Sequence, residues 1–419
     1  MNAALLAVLL LASGSGPILT LDEAVKLARQ GQPALRVARA ATAAAEARRG
    51  EALSGFLPRL DASLGYLRLS GNLPGTAESW DSTGRWTASA SASMVVWDFG
   101  TTLGRYQSAS ALATAQQASE RATTAQVLYN VRNAYFAARA RKDLVTVAEE
   151  TLANQQAHLE QVEGFVSVGT RPEIDLAQAR TDRANAEVTR IGAVANYQTA
   201  KAQLNQAMGI EASTEFDVAN DQLPAVTGED ATLEQLVDEA LKARPEVAAM
   251  EAQLRASEAT VTAARGGWYP SLGVSAGMSD IGTGLKGPDA TWNWSAGATL
   301  SWNLFQGGMT SSLVREAQAG VESVRADLAS LRLQVRLDLE QARFAVASAR
   351  AKLVATEEAL TNARERLRLA EGRYYAGSGS ALEQSDAQLQ VTLAAAQRVG
   401  AEYELSTARA QLLVALGRP

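Results

Sequence analysis

Cysteine is absent from the 419-residue sequence, and histidine occurs once. The lack of cysteine excludes disulfides, thiolate chemistry and cysteine-ligated metals, and it removes the residue to which a lipid anchor would be attached. The single histidine, His158, lies in a helical pattern, and we expect it to pack or to face solvent. No phosphate-binding loop or nucleophile elbow is present. The sequence therefore predicts no enzyme and no cofactor.

Proline is missing from two very long stretches, Gly100 to Arg171 and Asp289 to Arg418. Because proline breaks helix interiors, both stretches can form uninterrupted helices. At ~1.5 Å of rise per residue, a helix from Gly100 to Phe165 would be on the order of 100 Å long, which exceeds the diameter of an ordinary domain. Apolar and small residues recur every three or four positions, with one extra four-residue step, which predicts helices packed side by side.

Long apolar runs are also scarce. Residues 1–16 have the short apolar core and small-residue exit of a signal peptide, with no Lys or Arg before the apolar run. Beyond them no run reaches the length of a membrane-spanning helix, so none is predicted. The net charge is −6, and basic residues alternate with acidic ones along the predicted helices. This charge pattern argues against a nucleic-acid partner.

What the sequence does contain is a duplication with a spacing of about 208 residues. Residues 197–209 and 405–417 share seven identical positions. Further pairs keep nearly the same spacing: Pro33 with Pro245, Pro58 with Pro270, Trp97 with Trp302, and Gly169 with Gly377. We therefore divide the chain into a first repeat, 17–209, a polar linker, 210–231, and a second repeat, 232–419.

Four segments alternate between apolar and polar residues, as strands with two unlike faces do. The predicted strands are about 57–70, 84–97, 269–280 and 291–304. Each has roughly the length that a tilted strand needs to cross a bilayer, and tryptophans lie near the ends. A soluble sandwich would alternate too, whereas four strands cannot close a barrel, so a membrane barrel requires several chains. Trp97 breaks the parity of its partner Trp302, which predicts a bulge.

Helix starts are marked by capping boxes. Four boxes are predicted, from Thr20 with Glu23, Thr232 with Gln235, Thr170 with Glu173, and Ser380 with Glu383. The first two open a helix that runs to the region of Pro58 or Pro270. The last two follow tight turns, at about 166–172 and 375–380, with Pro172 in the first turn of its helix. The predicted fold class is thus mainly α with a small β part: a strand pair and a long helical hairpin, present twice.

The chain resembles the TolC-like outer-membrane efflux proteins over almost all of its mature length. The resemblance rests on the duplicated plan, on the segments Trp97–Gly100 and Trp302–Gly308 that leave the strands, and on the two turns. It implies a homotrimer in the cell outer membrane, whose strands, four per chain, form one β-barrel continued by a periplasmic α-helical barrel. It also implies contact with outer-membrane lipid and two protein partners, a periplasmic adaptor and an inner-membrane transporter.

The same resemblance implies roles for residues at the turns. Glu383 and Asp386 would ring the aperture at the helical tips. Asp175 and Tyr374 would form a polar link that holds the tips closed. The family's arginine position is Gly379 here, so another donor such as Arg171 or Arg373 would have to complete the link. The adaptor would dock on the turn residues Val168, Gly169, Thr170, Ala376, Gly377 and Ser378.

Simpler roles account for the same residues. Carboxylates in a first helical turn stabilise the positive end of the helix dipole, and glycine ends helices. We expect the second copy alone to carry the acidic positions, because Leu176 lies opposite Gln384 and Gln178 lies opposite Asp386. The difference between the copies is where the sequence predicts a gate.

The predicted function is passive conduction through the outer-membrane channel of a tripartite efflux or type I secretion system, gated at the helical tips. Acidic rings would concentrate cations, bind divalent ions and make conductance depend on pH. Two alternatives remain open. A secreted coiled-coil spacer explains the helices but not the paired strands, and an autonomous porin explains the strands but not the hairpins. The sequence does not identify the cargo or the class of transporter.

Overall fold

The computed structural model describes residues 17–71, 81–211, 213–229, 231–283 and 292–418. The predicted signal peptide, 1–16, lies outside them. The first repeat contains β1 (Ile18–Leu19), α1 (Leu21–Gly31), α2 (Pro33–Ser54), β2 (Arg59–Gly71), β3 (Asp81–Trp97), α3 (Thr101–Ser167) and α4 (Glu173–Met208). β4 (Asp217–Val218) lies in the predicted linker. The second repeat contains, in the same order as the first from α1 onward, α5 (Leu233–Ala243), α6 (Pro245–Gly266), β5 (Ser271–Thr283), β6 (Trp292–Ser301), α7 (Met309–Tyr375) and α8 (Ala381–Ala415).

The opening helix of each repeat is broken in two, where the sequence predicted one continuous helix. Thr20 caps α1 with Glu23 in a complete capping box, as predicted, and Thr232 does the same for α5 with Gln235. The break follows from proline. Gln32 precedes Pro33 and is extended (φ −65°, ψ 118°), and Arg244 takes the same conformation before α6. Steric clash with the proline ring disfavours a helical conformation at the preceding residue.

The predicted linker, 210–231, contains a strand that its polar composition does not indicate. β4 pairs in parallel with β1, Ile18 opposite Asp217 and Leu19 opposite Val218. Side chains of α4 and α3 hold this segment: Tyr197 Oη donates to Asp217 Oδ1 (2.6 Å), and Lys142 Nζ donates to Asp217 Oδ2 (2.7 Å). The segment is therefore part of the folded body of the chain.

The chain divides into two units. Unit 1 comprises Met1–Arg39, Glu120–Pro245 and Leu331–Pro419, and unit 2 comprises Ala40–Ser119 and Glu246–Ser330. One core of unit 1 lies between the helices and includes Tyr135, Phe136, Leu204 and Met208, each at most 2% exposed. Around them alanine is the commonest buried residue, which allows the helices to approach closely.

Unit 2 contains a four-stranded antiparallel sheet in the order β2-β3-β5-β6. The predicted bulge is confirmed: the register shifts between Val95 and Trp97, and Trp97 lies opposite Leu272. Because of the extra residue in the bulge, Trp97 lies on the same face of the sheet as Met94 and Leu272. In the part of the chain that the structure describes, no helix is apolar enough over a sufficient length to span a bilayer.

The two faces of the sheet differ in chemistry. One face carries large apolar side chains that are open to solvent in the single chain, among them Leu60 (79% exposed), Trp294 (83%) and Leu300 (67%). The opposite face carries mostly serine, threonine and glycine, and Ser63 and Ser89 share a hydrogen bond on it (2.7 Å). Such a division is typical of a sheet with lipid on one side and water on the other.

Candidate functional site at the helical turns

The first turn, between α3 and α4, ends its helix with a glycine in the left-handed conformation. Gly169 has φ 74°, and its N–H donates to Val166 O (2.9 Å). Thr170 donates two hydrogen bonds to Phe165 O, one from its N–H (3.0 Å) and one from its Oγ1 (2.8 Å). The two backbone bonds, from the N–H groups of Gly169 and Thr170, form a Schellman motif, which satisfies carbonyls at a helix end.

The second turn, between α7 and α8, repeats the first bond for bond. Gly377 has φ 73° and donates from N–H to Tyr374 O (3.1 Å). Ser378 donates to Arg373 O from its N–H (3.0 Å) and from its Oγ (3.2 Å). Each residue of this motif lies 208 positions after its counterpart in the first turn. The duplication therefore extends to the hydrogen bonds of the turns.

The helix starts after the turns differ. The capping box predicted for Thr170 is wrong, and the one predicted for Ser380 is only half formed, because the Glu383 side chain accepts from Arg373. Thr170 does not cap α4 with Glu173, because its hydroxyl is committed to Phe165 and because Pro172 occupies the N-cap without a side-chain bond. At the equivalent place Ser380 caps α8, and its Oγ accepts from Glu383 N (3.2 Å). Only the second turn has a side-chain cap.

A buried aromatic side chain lies at the centre of this region. Tyr374 is 1% exposed and packs with Val162 and Ala179. The Arg171 guanidinium sits over its ring, 4.3 Å from the centroid, and Arg171 Nη2 donates to Tyr374 O (3.1 Å). Arg171 thus joins the first turn to the end of α7 by a cation–π contact and a hydrogen bond.

The predicted link between Asp175 and Tyr374 is not formed as a hydrogen bond. Within the described residues Tyr374 Oη has no hydrogen-bond partner. Burial raises the pKa of Tyr374; the positive charge of Arg171 opposes this shift and the negative charge of Asp175 adds to it. The direct contact to Tyr374 comes instead from Arg171, one of the two alternative donors that the sequence offered.

At Gly379, where the resemblance implies an arginine, the backbone is close to the end of α7. A Cβ on Gly379 would lie 3.0 Å from Tyr374 N and 3.1 Å from Arg373 C. Its N–H also donates to Arg373 O (2.9 Å), the third donor on that carbonyl. A side chain at this position would push against the end of the helix.

The two predicted aperture residues have different surroundings. Glu383 Oε1 accepts a hydrogen bond from Arg373 Nη1 at 2.6 Å, across the second turn. Asp386, one turn further along α8, is exposed and has no hydrogen bond or ion pair with any residue that the structure describes. The structure thus brings a basic residue to one acid and none to the other.

The turn residues predicted to dock an adaptor are all exposed. Val168 is 72% exposed, and Gly169 and Thr170 are open to solvent beside it. In the second copy Ala376, Gly377 and Ser378 are also exposed. Neither Gly169 nor Gly377 has any atom near the position that a Cβ would take. The duplicated turns therefore present two similar small-residue surfaces.

His158 packs into the same region. Its ring meets Tyr374 edge to face, with centroids 5.7 Å apart, and its Nδ1 is buried without a hydrogen-bond partner within the described residues. Burial lowers the pKa of His158, opposed by the charges of Asp182 and Asp175. The ring is therefore a packing element of the core around Tyr374. Among the described residues no group of His, Asp or Glu side chains is arranged to hold a metal ion.

Two features of the candidate site are not among the predictions made from the sequence. The spacing of 208 residues puts Asp175 opposite Glu383, so the first copy also carries an acid at that helix start, and the expectation that only the second copy does so is wrong. This equivalence was available from the alignment of the copies. The ion pair of Arg373 with Glu383 was not, because it joins residues ten apart through a turn that no helical spacing describes.

The duplicated sheet and hairpins define a class of protein that solved structures also show. The outer membrane protein VceC from Vibrio cholerae superposes with a TM-score of 0.82 over 95% of this chain and 96% of that one, at 18% sequence identity. A family model described as outer membrane efflux protein matches residues 24–210 and 236–418. The chain belongs to this family.

Curated relatives are similar over different lengths. The outer membrane efflux protein BepC of Brucella suis is 24% identical over 371 residues, which are 88% of this chain and 78% of BepC. Protein CyaE of Bordetella pertussis is 32% identical over 195 residues, 45% of this chain and 41% of CyaE. The match to CyaE thus spans less than half of that protein.

Proposed function

We propose that the chain is the outer-membrane channel of a tripartite efflux or type I secretion system. It conducts its cargo passively, without catalysis, and its periplasmic helical tips act as the gate. Membership of the outer membrane efflux protein family and the name of the relative BepC, an efflux protein, support this proposal.

The observation that carries the proposal is the four-stranded sheet of unit 2. Its outer strands, β2 and β6, each have a neighbour on one side only within the described residues. Open strand edges and an exposed apolar face are unstable in water, which favours a bilayer and further copies of the sheet as partners. A homotrimer joins these edges into one barrel, and its small polar face then lines a water-filled lumen.

Gating is proposed for the two helical turns. The contacts of Arg171 with Tyr374 hold the end of α7 against the first turn, and loss of these contacts frees the tips. Asp175 contributes its charge near the same ring. Glu383 and Asp386 face the aperture and favour cations over anions.

Two protein partners complete the proposed system. The exposed turn surfaces 168–170 and 376–378 are the docking sites for a periplasmic adaptor, since small residues leave room for a close-fitting partner. The adaptor connects the channel to an inner-membrane transporter, which supplies the energy and selects the cargo.

Fractionation and electrical recording test the proposal together. The protein should be found in outer-membrane fractions as a trimer, and purified protein should form ion-conducting pores in planar bilayers. Recovery of the protein only from the soluble periplasm would contradict the channel function and favour a secreted coiled-coil spacer. Pores whose cation selectivity and divalent sensitivity do not change in the variant carrying Glu383→Ala and Asp386→Ala would remove the aperture role of these residues. Export that persists after removal of the tips would favour an autonomous porin.

A further inference from the structure

The two acids at the second helical turn differ in whether their charge is compensated. Arg373 extends from the last turns of α7 across the turn to Glu383, with 2.6 Å between Nη1 and Oε1. The other terminal nitrogen of the Arg373 guanidinium, Nη2, lies 3.5 Å from Ser378 O, within the turn. The Ser380 cap fixes the backbone N–H of Glu383, so both ends of the ion pair are attached to ordered backbone.

The first copy shows what the turn is like without this arginine. The residue equivalent to Arg373 is Phe165, and the residue equivalent to Glu383 is Asp175. Phe165 turns inward and packs near Tyr374, with ring centroids 6.2 Å apart. The turn therefore does not need a basic residue at this position for its hydrogen bonds or its shape.

We infer that Arg373 determines the charge selectivity of the channel by compensating Glu383, so that, of the two acids Glu383 and Asp386 in α8, Asp386 alone is without an ion pair among the described residues. This inference rests on the proposed function. Arg373, Glu383 and Asp386 together then contribute one net negative charge per chain. The two acids alone would contribute two. The ion pair is partly exposed, with side-chain exposures of 58% and 35%, so its strength is modest. A modest ion pair still affects selectivity, because the Arg373 guanidinium, 2.6 Å from the carboxylate, offsets the charge of Glu383.

Reversal potentials in a potassium chloride gradient, measured on the full-length protein in planar bilayers, test the inference. Arg373→Gln should raise the ratio of potassium to chloride permeability several-fold, since local counter-ion concentration in a cleft of one charge sign changes by roughly tenfold or more. Asp386→Asn should lower the ratio, and so should Glu383→Gln. Adding Arg373→Gln to Glu383→Gln should return the ratio to that of the unaltered channel.

A second ion pair on α7 provides a matched control. Arg368 Nη2 lies 2.6 Å from Glu365 Oε1, and the two side chains are 68% and 54% exposed. Arg368→Gln makes the same change of charge on the same helix and should leave the ratio unchanged. An equal rise in this control would show that Arg373 acts only through net charge of the helix, which would overturn the inference.

The double variant decides between a compensated and a free Glu383. If Arg373→Gln with Glu383→Gln loses selectivity as Asp386→Asn does, Glu383 is a free member of the acidic ring and the inference is wrong. It is equally wrong if Asp386→Asn changes nothing while the pores still conduct. Absence of any pore from the unaltered protein is a different result, because it contradicts the proposed channel function. Circular dichroism melts of each variant establish that the comparison is made on folded protein.

Discussion

The two helical turns have the same backbone and different side chains. Gly169 and Gly377 end their helices with φ values one degree apart and with matching bonds. Around this common frame the first turn places Arg171 over a ring, and the second places Arg373 beside Glu383. Duplication has thus kept the hydrogen bonds that shape the turn and has changed the charges that the turn carries.

Tyr374 should show the largest difference between the two turns. Tyr374→Ala removes a buried ring from the core shared with Val162 and Ala179, which we expect to lower the free energy of unfolding by about 3 to 5 kcal/mol. Val166, the equivalent residue in the first turn, is only partly buried, and Val166→Ala should cost less. Thermal unfolding in detergent measures both.

Tyr374→Phe separates packing from a polar link. The hydroxyl has no partner within the described residues, so its removal should leave stability unchanged or increase it. Pores of Tyr374→Phe should also stay closed under the conditions that keep the unaltered channel closed. If Tyr374→Phe pores open under those conditions, the hydroxyl takes part in a link such as the one predicted with Asp175.

The turn glycines should show equal effects. Gly169→Ala and Gly377→Ala force a Cβ into the left-handed conformation, at a cost of roughly 1 to 2 kcal/mol each. No neighbouring atom would clash with either methyl group, so backbone strain alone should set the cost. Chemical denaturation compares the two. Clearly unequal values would mean that the turns are not equivalent in the assembled protein.

The helix cap should show a smaller effect, confined to the second turn. Ser380→Ala removes the oxygen that accepts from Glu383 N, and such a loss costs about 1 kcal/mol. Ser378→Ala is the matched control, because that hydroxyl duplicates backbone bonds already made to Arg373 O. It should cost less than Ser380→Ala in the same denaturation experiment, and the reverse order would contradict the assigned cap.

The smallest effect should come from pH acting on His158. Burial lowers its pKa in the folded protein, so the folded state binds fewer protons than the unfolded one. Stability of the tip is then complete above the unfolded pKa of about 6.5 and falls as pH drops below it. His158→Gln should remove this part of the pH dependence. Because the chain has a single histidine, its NMR titration can be followed without ambiguity, and an ordinary or raised pKa would refute the argument.

Local signals in the sequence were enough for features that depend on a few neighbouring residues. The bulge at Trp97 followed from its parity, and the box of Thr20 with Glu23 followed from their spacing. The capping box predicted for Thr170 does not form, because its hydroxyl can bond either to the end of α3 or to the start of α4. Here the ending helix takes it.

Contacts between distant segments lay beyond the sequence. Asp217 is held by Tyr197 and Lys142, and nothing in a polar segment with two strand residues indicates that it pairs with Ile18 and Leu19. The sequence named Arg171 as one of two possible donors to Tyr374, 203 positions away, but it did not predict that the guanidinium lies over the ring. Such pairs arise from tertiary packing, which composition and periodicity do not encode.

The equal length of α3 and α7, 67 residues each, limits where the two copies can gain or lose residues. One inserted residue would rotate every later side chain by about 100° around the helix axis and turn buried seam positions outward. The connections between each strand and its long helix differ in length, with residues 98–100 in one copy and 302–308 in the other. Changes of length are thus absorbed in the short connections, while the rotational phase of the long helices is preserved.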